Sequence, residues 1–155
     1  MTLARTNSDN KDFRHLTGLL DLERIILYGD VQAQYHPFNV IESLSTVVVA
    51  YQDKIPVGCG CFKSMDMKTV EIKRIFVRPE YREKGIARSI MQELERWAHD
   101  SGYSTAILET GIKQAAAIQF YSHFGYERID NYGYYIGNAN SLCMSKSLEH
   151  KPKEL

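Results

Sequence analysis

Apolar and polar positions along this chain predict its elements one after another. Residues 46–51 (TVVVAY) form a β-branched run and predict a strand. Gln52, Asp53 and Lys54 turn the chain, and residues 55–63 (IPVGCGCFK) predict a second strand, antiparallel to the first by hairpin. Gly58 and Gly60 weaken that strand intrinsically, which implies a bulge or a close approach of another part of the chain. After a turn over 64–68, residues 70–77 predict a third strand, with Val70, Ile72, Ile75, Phe76 and Val77 as its apolar content. Pro79 stops the pairing, because it has no N–H to donate. A polar turn, Glu80 to Gly85, leads into a long helix in which Ile86, Ile90, Leu94 and Ala98 recur four apart on one face. Gly102 is placed to end that helix in the left-handed conformation that a Cβ disfavours.

Residues 104–109 (STAILE) predict the next strand, parallel to 70–77 through a right-handed helical crossover. A helix over 113–124 follows, then a tyrosine-rich stretch, and a last strand over 141–148 (SLCMSKSL). Upstream, residues 2–5 are read as a short first strand. From Phe13 the spacing Phe13, Leu16, Leu19/Leu20, Leu22 and Ile26/Leu27 predicts an amphipathic helix ending near Gly29. Residues 30–39 are irregular or hold one more short helix, and 149–155 are expected to fray. Two hairpins followed by strand–helix–strand predict a mixed sheet covered by helices. The 155 residues fit one domain over 1–155, with no repeat, linker or low-complexity segment.

Composition narrows the function. Lys plus Arg equals Asp plus Glu at 19 each, so nonspecific binding to nucleic acid or an anionic membrane is not expected. MTLARTNSDNKDF lacks an apolar core and is not expected to be a secretory signal. Nowhere do about eighteen apolar residues run together as a span requires. The three cysteines, Cys59, Cys61 and Cys143, are read as reduced thiols on buried strands, since a zinc site would need a second ligand pair. His15, His36, His99, His123 and His150 are scattered, and no metal is implied.

One stretch carries chemistry. The turn before Ile86 holds Arg82, Lys84 and Gly85, and Arg88 follows within the first helical turn. The first N–H groups of a helix lack intrahelical partners and face out along the positive end of its dipole. With that basic turn they make a site for phosphate. Neither G-x-x-x-x-G-K-[ST] nor G-x-G-x-x-G is present. The sequence is Arg82-x-x-Gly85-x-Ala87, preceded by Val77-Arg78-Pro79 and followed by a helix. Further on stand Gln114-x-x-Ala117-x-x-x-Tyr121 and then Gly125-Tyr126.

With these two segments the chain resembles the Gcn5-related N-acetyltransferase (GNAT) family, whose members show [R/Q]-x-x-G-x-[G/A] and, downstream, N-x-x-A-x-x-x-Y followed by G-[FY]. Gln114 departs from the family's Asn, keeping the amide on a longer arm. The resemblance is close over about 46–125 and looser at both ends. It implies a GNAT fold, an α/β domain with a mostly antiparallel twisted sheet, helices on both faces and a central, splayed parallel strand pair. It implies acetyl-CoA as acyl-donor substrate, held by Ile75, Phe76, Val77, Arg82, Glu83, Lys84, Gly85, Ile86, Ala87, Arg88, Gln114, Ala117 and Tyr121. It also implies a bulged strand at 75–77 whose main chain pairs with the pantetheine arm, with the Val77 N–H on the thioester oxygen.

Acetyl transfer to an amine needs a base for the ammonium and an acid for the leaving thiolate. The resemblance places Tyr121 near the sulfur, and a phenol is a proton donor at neutral pH. Glu71 is the candidate base. Glu109 is its rival, as base or as anchor for the acceptor's ammonium. Tyr28, Gln32, Gln34, Tyr35 and His36, with Tyr134 of the tyrosine-rich turn, are candidate walls of the acceptor pocket. The expected acceptor is a primary amine on a small molecule, reacting directly in a ternary complex. The alternatives are a protein or peptide N-acetyltransferase and a non-catalytic acyl-CoA sensor. A cytoplasmic location, a homodimer and no nucleic-acid or membrane partner complete the expectation.

Overall fold

The structure, a computed structural model, describes residues 1–29 and 43–149. Tyr35, with Gln32, Gln34 and His36, lies outside the described residues. The elements in order are β1 (Thr2–Thr6), α1 (Lys11–Tyr28), β2 (Val47–Gln52), β3 (Ile55–Ser64), β4 (Thr69–Val77), α2 (Ile86–Asp100), β5 (Thr105–Gly111), α3 (Ala115–His123), β6 (Glu127–Ile129) and β7 (Ser141–Ser147). The strands run β1-β2-β3-β4-β5-β7-β6 in a seven-stranded, mostly antiparallel sheet, and β4 with β5 is its parallel pair. This is the mixed α/β architecture expected from the sequence. β6 is a strand that the sequence reading did not resolve. Two compact units share the chain, one of Met1–Phe62 with Arg74–Leu94 and one of Lys63–Lys73 with the residues from Glu95 onward.

In the first unit β2 and β3 form the expected hairpin. Asp53 and Lys54 both take left-handed φ, at 50° and 68°, as a two-residue type I′ turn requires. The register slips by one residue between Ala50 and Tyr51. β3 shows its two faces plainly. Cys59 and Cys61 pack with Phe13, Leu16 and Leu20 of α1. Gly58 and Gly60, pointing the other way by the period-2 rule, lie against Ile86, Ile90 and Leu94 of α2. A Cβ on Gly60 would stand 2.4 Å from Ile75 Cδ1, so close approach explains that glycine. α1 is capped by Asn10, whose side chain accepts from Phe13 N–H at 3.0 Å. Its apolar stripe departs from expectation. Phe13, Leu16 and Leu20 are buried, whereas Leu22, Ile25 and Leu27 are exposed and Ile26 is 86% exposed. The packing with β2, β3 and Phe76 stops at Leu20.

Arg74 is the strained point of β4. Its φ of 61° is left-handed in mid-strand, a conformation that costs a bulky L-residue on the order of 1 kcal/mol or more. Its side chain is buried and ion-pairs with Asp21 of α1, while its carbonyl accepts from Cys59 Sγ at 3.5 Å.

In the second unit β5 pairs antiparallel with β7 from Thr105↔Ser147 to Gly111↔Ser141, and β6 adds to β7's other edge. β4 pairs with β5 at Thr69↔Thr105, Val70↔Ala106 and Glu71↔Ile107. The ladder goes no further, although both strands continue. On one face Lys146 Nζ meets Glu95 Oε1 at 2.7 Å and lies 4.1 Å from the Phe124 ring centroid. Tyr126 donates to the other Glu95 oxygen at 2.9 Å. Burial and the Glu95 charge push that phenol far above its ordinary value, so it stays a donor. Among the described residues no helix is long and apolar enough to cross a membrane.

Candidate active site

The residues expected at the donor's phosphates fall in the first unit. β4 delivers Ile75, Phe76 and Val77, and a 3-10 turn over Pro79–Tyr81 redirects the chain. Arg82 is then fixed three ways. Its Nε donates to the Val77 carbonyl at 2.8 Å, its Nη2 to Glu23 at 2.7 Å, and its guanidinium carbon lies 5.6 Å from the Phe76 ring centroid. Glu83 and Gly85 both adopt left-handed φ, 63° and 81°. At Gly85 this suits a residue without Cβ, and open space surrounds the point where a Cβ would stand. Lys84 is exposed, with Nζ 5.5 Å from the Tyr81 ring centroid. Ser89 N–H donates to the Gly85 carbonyl as α2 begins, so the N–H groups of Ile86, Ala87 and Arg88 precede the helical ladder. Ile86 is buried and anchors the turn, while Arg88 is exposed. A positively charged turn with outward amides fits an anion such as a pyrophosphate.

The residues expected to move protons fall in the second unit. Glu71 is 5% exposed and accepts from the Tyr132 hydroxyl at 2.6 Å through Oε2. Its Oε1 stands 3.9 Å from Lys73 Nζ. Glu109 is partly buried and accepts from Ser141 Oγ at 2.7 Å. Strand register puts Glu71, Glu109, Ser141 and Cys143 on one face, opposite to Lys146. The Cys143 thiol is pushed up by burial first and then by the charges of Glu109 and Glu71, with a backbone hydrogen bond with Tyr132 pulling the other way. The two carboxylates proposed as rivals therefore both act on one place in this unit.

Tyr121 lies on α3, 9% exposed, its ring edge-on to Phe120 and Tyr126 at centroid distances of 5.3 and 6.0 Å. Gln114 departs from the helical reading. The predicted helix over 113–124 starts at Ala115, and Gln114 is the residue before it, at φ −91° and ψ 68°. It thus stands outside the i, i+3, i+7 face that includes Ala117 and Tyr121. Tyr28 closes α1, partly buried. Tyr134 is 74% exposed. Tyr135 of its turn is buried, and the tyrosine that reaches Glu71 is the half-buried Tyr132, which the sequence reading did not single out. Asn131 is the only signal that could have found it, because an amide before a Gly-containing turn commonly ties that turn to its own backbone. Among the described residues no group of three or more His, Cys, Asp and Glu is placed to hold a metal ion.

Comparison with known proteins follows the same residues. The model of the acetyltransferase (GNAT) family matches residues 14–126. An IAA acetyltransferase of Azospirillum brasilense is 35% identical over 103 residues, 65% of this chain and 67% of that protein. The aligned stretch spans less of other curated N-acetyltransferases, 62% of one and 27% of another. A Klebsiella pneumoniae structure described as an acyl-CoA N-acyltransferase superposes with a TM-score of 0.80 at 26% identity, over 96% of this chain and 97% of its own. PaiA N-acetyltransferase of Thermoplasma acidophilum, solved in complex with coenzyme A, shares the fold with a TM-score of 0.73 at 16% identity, over 94% of this chain and 98% of its own.

Proposed function

Because the chain belongs to the GNAT acetyltransferase family, we propose that it transfers the acetyl group of acetyl-CoA to a primary amine of a small molecule, directly, with donor and acceptor bound together. The observation that carries the acceptor half of this reading is Glu71, a carboxylate buried on a strand and held by a phenol. A buried, oriented carboxylate is suited to taking a proton from an ammonium. The basic turn around Arg82 and Gly85 supports the donor half, and the related PaiA structure holds coenzyme A.

The proposed steps follow from the side chains. Arg82, Lys84 and the amides at the start of α2 bind the donor's phosphates. The Val77 N–H polarises the thioester oxygen. Glu71, directly or through a water, takes a proton from the acceptor's ammonium. The freed amine bonds to the acetyl carbon as the C–S bond breaks, and Tyr121 protonates the departing sulfur. The nitrogen sheds its surplus proton to solvent once the N–C bond has formed. Products are the N-acetyl amine, the CoA thiol and that proton, while the proton on Glu71 returns through solvent to Tyr121. Glu109 is the anchor for the acceptor's charge. A cytoplasmic location and a homodimer belong to this reading on family resemblance alone.

The test is release of CoA thiol from acetyl-CoA against a panel of small amines, amino acids and short peptides. Release should depend on a small amine. Tyr121→Phe should lower kcat by roughly a hundredfold or more, in the range of a lost general acid, with KM for acetyl-CoA little changed. Release with peptides alone would move the acceptor to protein. Saturable acetyl-CoA binding without release to any acceptor would favour a sensor.

A further inference from the structure

We propose that Tyr132 is a positioning residue for Glu71, holding one carboxylate oxygen so that the other faces the acceptor's proton. This rests on the reading of Glu71 as the base. Tyr132 donates to Glu71 Oε2 at 2.6 Å, the length of a charge-assisted hydroxyl–carboxylate bond, which is stronger than a neutral one. That leaves Oε1 as the oxygen turned to take a proton. The other charged and titratable groups around this carboxylate are Lys73 on its own strand, 3.9 Å from Oε1, and Cys143 and Glu109 on β7 and β5, linked through the Cys143 thiol.

The phenol is not there by chance of an exposed loop. Asn131 Nδ2 reaches three carbonyls, those of Tyr135, Asn138 and Ser141, at 3.0, 3.1 and 3.1 Å. Tyr135 N–H donates back to the Tyr132 carbonyl at 3.0 Å, and Asn138 N–H to that of Tyr135 at 3.0 Å. The rings of Tyr132 and Tyr135 stand edge to face, 5.6 Å apart and 88° inclined. Ile112 N–H, just past β5, ties the far side of the loop through Asn140 at 2.9 Å. The loop is thus a built frame around one hydroxyl. Burial, then the Glu71 charge and the hydrogen bond to it, push the Tyr132 phenol far above its ordinary value. It therefore remains a donor over the whole working range of pH.

Tyr132→Phe tests this because it keeps the ring edge to face with Tyr135 and removes only the hydroxyl. The variant should lose about tenfold in kcat with KM for acetyl-CoA unchanged, the pattern of a lost charged hydrogen bond used after binding. In a Glu71→Gln background, Tyr132→Phe should add no further loss. An unchanged kcat, a loss carried by KM for acetyl-CoA instead, or an equal loss in the Glu71→Gln background would each overturn the proposal. Full activity in Glu71→Gln alone would instead remove the base reading, and the role of Tyr132 with it.

Discussion

Glu71→Gln should lower kcat by roughly a hundredfold or more at neutral pH, with a deficit that shrinks as pH rises. The substitution is close to isosteric and leaves an amide oxygen to accept from Tyr132, so the loop frame survives. What it removes is the proton acceptor. Turnover then depends on acceptor that is already neutral, a fraction that rises about tenfold per pH unit below the amine's own pKa of about 10. The wild type has the carboxylate to take that proton and gains less from rising pH. The ratio of wild-type to variant kcat/KM should therefore fall steadily from about pH 6 to about pH 10. Measuring both profiles with one amine decides the matter. A loss of equal size at every pH would leave Glu71 as an anchor and turn attention to Glu109, whose carboxylate shares the same face of the sheet.

Gly60→Val should destabilise the first unit by about 3 kcal/mol, the upper range for overpacking. Its Cβ alone would stand 2.4 Å from Ile75 Cδ1 and 3.0 Å from Ile90 Cγ2 and Leu94 Cδ1. Valine adds two methyl groups to that conflict, while its favourable strand propensity of at most about 1 kcal/mol offsets little. Gly18→Ala is the contrasting change, since nothing lies within 4 Å of a Cβ there. In mid-helix it should stabilise by about 0.5–1 kcal/mol. Urea midpoints at unchanged m would read both. Gly60→Val should also raise KM for acetyl-CoA, because Ile90 and Leu94 belong to the helix whose first turn follows Gly85. A neutral Gly60→Val would show that the approach of α2 is not what the glycine serves.

Much of this was legible where residue type and periodicity agree. Ile86, Ile90, Leu94 and Ala98 are all buried, as their four-residue spacing demands. The glycines of β3 announced a close approach and met one. The hidden parts are those where one residue's conformation depends on distant partners. Arg74 carries no sequence mark of a left-handed φ, because an arginine is chosen there for its pairing with Asp21 rather than for backbone ease. β6 is three residues long, too short for alternation to register. Gln114 is a poor capping residue by type, so the periodic pattern ran on past the true start of α3. Which of three tyrosines reaches Glu71 depends on the carbonyls that Asn131 gathers, and spacing alone contains no trace of that.

The buried sulfurs give the chain an internal clock. None of the three cysteines forms a disulfide and all are buried. Burial holds the Cys59 and Cys143 thiols above their ordinary value, so neither offers the thiolate that a trapping reagent attacks. Such a reagent reads newly released CoA at once while the folded chain stays dark. Over longer times its reaction with the chain reports opening. Cys59 and Cys61 belong to one compact unit and Cys143 to the other. The order in which the three are labelled then tells which half of the molecule breathes first, with no probe added to either.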